Sequence, residues 1–143
     1  MSDIKFSALN LVPIREGQTD KDAINDMVAL AQKLDELDYE RYWIAEHHNA
    51  PNLVSSATSL LIQHTLEHTH NIKVGSGGIM LPNHAPLVVA EQFGTLETIY
   101  PNRVDLGLGR APGTDMMTAS ALRRDQHNGC LLYTSDAADE GLG

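Results

Sequence analysis

The chain has 143 residues, of which 42% are hydrophobic and 20% charged, and it contains a single cysteine. Ten Lys and Arg residues against nineteen Asp and Glu residues give a net charge of −9, which argues against a nucleic-acid partner because cationic side chains drive such binding. The length allows one domain, and one cysteine excludes an internal disulfide or a cysteine-based zinc cluster.

Membrane insertion and secretion are also not expected. No segment approaches the about 20 apolar residues that a membrane span needs, and the N-terminus lacks a basic region followed by an apolar run. The sequence therefore predicts a cytoplasmic protein.

The first half of the chain predicts two strand–helix units. Residues 5–12 are apolar, precede Pro13 and are predicted as a strand; residues 41–45 are predicted as the second strand. Ser55 or Ser56 is expected to begin a second helix that ends near residues 70–71. The first helix is capped by Thr19 or Asp20, and its apolar residues recur every three or four positions: Ile24, Met27, Val28, Ala31, Leu34 and Leu37.

The second half repeats this alternation. Residues 72–80 and 103–108 are predicted as strands three and four. Pro86 suits the first turn of a third helix, whose expected buried side comprises Val88, Val89, Phe93, Leu96 and Ile99. Four alternating units predict an α/β fold with parallel strands, right-handed crossovers and helices covering the sheet.

The C-terminal segment does not continue the alternation. Residues 130–140 have no clear hydrophobic period and no helix cap, and they resemble the translation of a transposase adapter used in preparing sequencing libraries. We therefore expect native sequence over residues 1–128 and a non-native tail over residues 129–143.

Two short motifs have alternative interpretations. His64, Glu67 and His68 match the H-x-x-E-H spacing of a zinc hydrolase, but they stand at a polar helix end where histidine complements the helix dipole, which is the interpretation we favour. Residues 107–113 miss the dinucleotide fingerprint because Pro112 stands where its third glycine belongs. What remains there is a turn in which Arg110 either binds an anion or is simply solvated.

Polar or glycine residues also follow strands two and three. Glu46, His47 and His48 follow the second strand directly, and their side chains either exchange protons with a substrate or form structural hydrogen bonds. Adjacent side chains diverge, so one of the two imidazoles is expected in a given pocket. Gly77 and Gly78 lie in the third strand, where they allow either a flat ligand against the backbone or a bulge.

Taken together, residues 43–48, 74–82, 90–93 and 103–113 resemble the bacterial luciferase-like flavin-dependent monooxygenases in order and spacing. The resemblance implies a (β/α)8 TIM barrel whose active site lies at the carboxyl ends of the strands, here truncated to about its first four β/α units. Because the remaining strands complete the site in this family, the 143-residue chain is expected to be inactive alone.

The resemblance also implies a cofactor, partners and residue roles. Reduced FMN and oxygen oxidise a small organic substrate in this family, a flavin reductase is a possible supplier of reduced FMN, and the full-length protein is a possible homodimer. The alternatives are a deazaflavin-dependent oxidoreductase and a flavin-binding relative without catalysis. The implied catalytic residues are His47, Glu46 and His48. The implied cofactor-binding residues are Ser76, the Gly77–Gly78 pair, often joined by a cis peptide, and the phosphate-contacting Arg110.

Overall fold

The computed structural model describes residues 4–123, so the expected tail over residues 129–143 lies outside the described residues. Strands and helices alternate throughout this part of the chain. Their bounds are β1 (Ser7–Asn10), α1 (Asp20–Glu36), β2 (Arg41–Ile44), α2 (Thr58–Glu67), β3 (Lys73–Met80), α3 (Pro86–Ile99), β4 (Val104–Gly109) and α4 (Met116–Leu122).

The four strands form one parallel sheet in the order β1-β2-β3-β4. Sequence neighbours are therefore neighbours in the sheet, as the alternation predicts. The pairing of β3 with β4 shifts register between Ser76 and Ile79, which confirms an irregularity at the two glycines between them. All four strands point their carboxyl ends at the same edge.

Helix α1 forms as its cap and apolar period predict. The Thr19 side chain accepts the Asp22 backbone N–H while the Asp22 carboxylate accepts the Thr19 N–H, which is a complete capping box. Leu37, expected on the buried face, is exposed because it is the C-terminal cap residue. The buried residues of the helix are Ala23, Met27, Val28, Ala31 and Leu34.

Helix α2 differs from its prediction at both ends. It begins after Ala57, which makes no side-chain cap, whereas Ser55 is fully buried and its carbonyl accepts the His47 backbone N–H at 3.2 Å. The helix ends at Glu67, and the Asp35 carboxylate of α1 then accepts the backbone N–H groups of residues 70–72. These bonds to Asp35 replace the helical bonds that a longer α2 would have made.

Helix α3 begins at Pro86 as predicted, and Val89, Phe93 and Leu96 are buried. Val88 and Ile99 were expected on the same face and are instead exposed, at 48% and 56%. Both line an open groove of about 400 Å³ between α2 and α3. The sheet covers only the stripe of α3 that carries Val89, Phe93 and Leu96, so the predicted buried face was too wide.

Helices α1, α2 and α3 cover one face of the sheet. Tyr42 is fully buried on that face, where its hydroxyl donates to the Met27 carbonyl at 3.2 Å, and burial raises the pKa of Tyr42 to about 12. The opposite face carries Leu9, at 58% exposed, and the half-buried Trp43, which lies against the backbone of β3. Among the described residues, no helix is both long and apolar enough to cross a membrane.

Candidate active site

A cluster of polar side chains lies at the carboxyl edge of the sheet, around the buried carboxylate of Glu46. Glu46 follows β2 and is 1% exposed. His48 Nε2 lies 2.9 Å from its Oε2, and His84 Nε2 lies 2.6 Å from its Oε1. Asn83 Nδ2 donates to Oε2 at 3.1 Å. We call Glu46, His48, Asn83 and His84 the Glu46 cluster.

Three loops are joined at this cluster. His48 lies in the loop after β2, and its backbone N–H donates to the Gly113 carbonyl at 2.9 Å. Asn83 lies in the turn after β3, and its amide also donates to the Pro112 carbonyl at 2.8 Å. The loops after β2, β3 and β4 therefore hold one another in place, and Glu46 lies where they meet.

The cluster can hold and move a proton. Imidazoles titrate near neutral pH, and each ring here has one nitrogen within hydrogen-bond distance of the carboxylate. A buried carboxylate is costly without partners, and the donors of His48, His84 and Asn83 satisfy both of its oxygens. The arrangement therefore fixes the rings in orientation and provides positions for a proton between each ring and Glu46.

His47 does not join this cluster. Its ring lines a separate cavity of about 290 Å³ together with Asn49, Ala50, Pro51, Leu53 and Ser56. His47 Nδ1 is buried and has no hydrogen-bond partner in the described part of the chain. The two adjacent imidazoles therefore diverge, and they lie in different surroundings.

The glycine pair in β3 leaves the backbone open on the sheet face opposite the helices. The Gly77–Gly78 peptide is cis, and Gly77 is exposed. A Cβ added to Gly77 would lie 2.9 Å from Trp43 Cβ and 3.1 Å from Leu9 Cδ1, so close packing excludes a side chain there. The result is a flat surface made of backbone and the apolar side chains beside it.

Ser76, expected to contact a cofactor, is fully buried. Its hydroxyl donates to the Gly107 carbonyl at 2.8 Å and lies 3.1 Å from the Gly107 N–H. The hydroxyl is thus used in pairing β3 with β4 across the register shift. Its contact with a cofactor stays a prediction.

Arg110 directly follows β4 and is exposed, at the same edge of the sheet as the Glu46 cluster. Its backbone carbonyl accepts a hydrogen bond from Arg123 Nη2 at 3.2 Å. This position is consistent with binding an anion beside the strand ends. The phosphate contact itself stays a prediction.

The H-x-x-E-H segment is not assembled as a metal site in the described residues. His68 Nδ1 bonds to the His64 carbonyl at 2.7 Å, and the Glu67 carboxylate accepts the Tyr100 hydroxyl. The structure instead brings together Glu46, His48 and His84 as potential ligands. No sequence motif identified Asn83 and His84, although both lie within four residues of the end of β3, where the strand-end rule places site residues.

Comparison with known proteins gives consistent matches. The family described as luciferase-like monooxygenase matches residues 4–128. A luciferase-like monooxygenase of Escherichia coli (strain K12) is 50% identical over 136 residues, which cover 95% of this chain and 41% of that protein. The chain spans about two fifths of the length of the curated relatives it matches.

Solved structures agree with the fold. Apo-MsnO8 superimposes with a TM-score of 0.83 at 37% identity, over 98% of this chain and 45% of its own. A second structure is the oxygenating constituent of 3,6-diketocamphane monooxygenase from Pseudomonas putida, solved with FMN. It superimposes with a TM-score of 0.71 at 23% identity, over 85% of this chain and 32% of its own. An F420-dependent secondary alcohol dehydrogenase superimposes with a TM-score of 0.58 at 18% identity, over 73% of this chain and 31% of its own. At these identities the last two support the fold alone.

The expected fold class is confirmed. Four parallel strands with alternating helices are present, and the luciferase-like TIM-barrel structures superimpose on them. The chain therefore belongs to the luciferase-like monooxygenase family and contains four β/α units of its barrel fold.

Proposed function

We propose that the full-length protein is a flavin-dependent monooxygenase that uses reduced FMN and oxygen to oxidise a small organic substrate. The observation that carries the proposal is the Glu46 cluster, which lies at the carboxyl edge of the same sheet that contains the exposed backbone of Gly77, in a chain of the luciferase-like monooxygenase family. FMN is bound by a structure of the same fold, the diketocamphane monooxygenase constituent. The activity is proposed for the longer protein and not for the 143-residue chain alone.

The residues present fit a flavin. A flat ring system needs a surface without protruding side chains, and Gly77 and Gly78 provide one beside Trp43 and Leu9. A phosphate group needs a cation near the strand ends, and Arg110 is an exposed arginine there. When bound, reduced FMN supplies the electrons for activating oxygen.

His47 is proposed as the residue that exchanges a proton with the substrate. The proposal is supported by two observations: His47 lines a cavity, and its buried Nδ1 has no hydrogen-bond partner in the described part of the chain. Glu46 and His48 are proposed to act beside it. They hold a proton at the His48 Nε2–Glu46 Oε2 contact, where the 1% exposure of Glu46 excludes bulk water.

A deazaflavin-dependent oxidoreductase is the second candidate. It is supported by the F420-dependent secondary alcohol dehydrogenase, which shares the fold. The glycine backbone that suits FMN also suits the ring of a deazaflavin, because both are flat, so the residues described here do not separate the two. A relative that binds flavin without catalysis is the third possibility.

A binding experiment on the full-length protein tests the cofactor. FMN and F420 are titrated separately, with fluorescence as the signal, and oxygen consumption is then measured with reduced FMN. Saturable FMN binding is expected, and Arg110→Ala should weaken FMN more than riboflavin, which lacks the phosphate. Leu60→Ala on the distant surface of α2 is the matched control and should leave both affinities unchanged. Binding of F420 without FMN would overturn the assignment.

The remaining expectations stay predictions. A separate flavin reductase is proposed to supply reduced FMN, the full-length protein is proposed to form a homodimer, and its location is proposed to be the cytoplasm. Light scattering on the purified full-length protein measures the dimer directly. A monomer at micromolar concentration would contradict that proposal.

A further inference from the structure

The spacing of three side chains in the Glu46 cluster is that of metal ligands. One carboxylate oxygen of Glu46 and one ring nitrogen each of His48 and His84 all lie within 4.8 Å of one another. His48 Nε2 lies 2.9 Å from Glu46 Oε2, and His84 Nε2 lies 2.6 Å from the other oxygen, Oε1. Ligand atoms that each lie about 2.1 Å from one tetrahedral zinc ion are about 3.4 Å apart. The three side chains are therefore close enough to contact one ion after rotation of the rings and the carboxylate.

The surroundings hold these ligands in place. Asn83 donates to the Glu46 carboxylate, and the backbone of His48 is fixed by its bond to the Gly113 carbonyl. Hydrogen bonds of this kind, one layer outside the ligands, orient metal ligands and raise affinity. The ligands come from two loops, so the site depends on the folded sheet and not on a local sequence motif.

We propose that Glu46, His48 and His84 bind a divalent transition-metal ion of the Zn²⁺ class, with the remaining coordination positions open to water. Two imidazoles and one carboxylate favour such ions over Mg²⁺ and Ca²⁺, which prefer oxygen ligands. Each ligating Nε2 presents its lone pair to the ion, so a neutral ring carries its proton on Nδ1. The metal site rests on the side-chain cluster alone, whereas the inhibition inferred from it rests also on the proposed function.

Metal and proton compete for the same atoms. An ion at this site takes the place of the hydrogen bonds between Glu46 and the two rings, and the His48–Glu46 contact then holds no proton. Zinc is therefore expected to inhibit the proposed monooxygenase. Occupancy by a transition metal would regulate the active site negatively.

Zinc titration of the full-length protein against a chromophoric chelator tests the proposal. One Zn²⁺ per chain is expected, and Glu46→Gln and His84→Ala should each weaken its binding at least about 10-fold to 100-fold. The matched control is the double variant His64→Ala/His68→Ala, which removes a second imidazole pair, outside the Glu46 cluster, with ring centroids 4.5 Å apart. It should change the zinc affinity less than twofold, and zinc should raise the Tm of the wild type and of this control but not that of His84→Ala.

Two results would overturn the site. One is the absence of stoichiometric zinc binding. The other is a loss of affinity in the His64/His68 control as large as that in His84→Ala, which would mean that zinc binds to surface or unfolded imidazoles. FMN titration of the same preparations separates the two proposals, because loss of the metal site leaves flavin binding by Gly77, Gly78 and Arg110 intact.

Discussion

Removing the carboxylate of Asp35 is expected to destabilise the protein. Asp35 lies near the end of α1 and accepts the backbone N–H groups of His70 at 2.6 Å, Asn71 at 3.1 Å and Ile72 at 2.8 Å. Helix α1 is thereby attached to the segment that leads into β3, the strand that carries the glycine pair. Asp35→Ala leaves three donors without their acceptor.

The size of the effect follows from the burial of each donor. Ile72 is 2% exposed, so its N–H group reaches water poorly, and a buried donor without a partner costs about 1–3 kcal/mol. His70 and Asn71 are exposed, so water replaces the carboxylate and each lost bond costs only about 0.5 kcal/mol. Asp35→Ala should therefore lower the free energy of unfolding by about 2–4 kcal/mol. Asp35→Asn keeps one oxygen that can accept the Ile72 N–H, and it should lower the free energy of unfolding by only about 1 kcal/mol.

The pH dependence has a defined sign. Burial acts to raise the pKa of Asp35, but the N–H donors of residues 70–72 and the positive charge of Arg103 outweigh it, and the pKa is lowered. A lowered pKa means that the carboxylate stabilises the fold above its unfolded pKa of about 3.9 and that this contribution is lost as the pH falls through the folded pKa. The stability difference between wild type and Asp35→Asn should therefore be full at neutral pH and shrink below about pH 4.

Urea unfolding of the full-length protein at neutral pH and along an acid series measures both effects. Glu36→Gln is the matched control, because Glu36 is the next residue of α1 and makes only an exposed ion pair with Lys33. It should change stability by less than about 0.5 kcal/mol. The reasoning would be refuted if Asp35→Ala changed the free energy of unfolding as little as this control does. It would also be refuted if the stability difference between wild type and Asp35→Asn stayed the same in acid.

Three further predictions concern the site, the sheet and the tail. In the full-length protein, His47→Ala should lower turnover about 10²-fold to 10⁴-fold and leave FMN affinity unchanged. If His47→Ala kept the wild-type rate and His48→Ala were inactive, the proton exchange would be assigned to His48. Gly107→Ala should give little folded protein in a thermal-unfolding assay, because its Cβ would overlap the Ser76 carbonyl oxygen, whereas Gly94→Ala, which meets no atom within 4 Å, should fold normally. The 143-residue chain should be poorly stable. Deleting residues 130–143 should leave its size-exclusion profile and its thermal unfolding unchanged. If the deletion abolished a cooperative unfolding transition, the tail would belong to the fold.

The sequence predicts the sheet well because each strand is a short apolar segment between recognisable helices. Pro86 and Thr19 mark helix starts by local geometry, and both predictions are confirmed. The start of α2 was predicted wrongly because a serine before an apolar run is typical of a cap, whereas Ser55 is buried beneath the loop after β2. The wide buried face predicted for α3 failed because periodicity does not reveal how much of a helix the sheet covers.

The site is harder to predict because its contacts join distant residues. Glu46 and His48 follow β2 and were identified from that position, but the partnership of Glu46 with His84 spans 38 positions. No spacing in the sequence encodes it, since the order of β2 and β3 in the sheet creates it. For the same reason the different surroundings of His47 and His48 could be expected in general but not assigned to either residue.

The contacts among the three loops also determine where this protein can be recombined with its relatives. A crossover between residues 48 and 83 would pair Glu46 from one parent with Asn83 and His84 from another, and a crossover between residues 84 and 112 would separate Asn83 from the Pro112 carbonyl. Chimeras joined after Arg123 inherit all of these contacts from one parent, together with the bonds of Thr114 to His48 and of Arg123 to Asn83. Such chimeras allow the remaining barrel strands to be exchanged while these polar contacts at the strand ends stay matched.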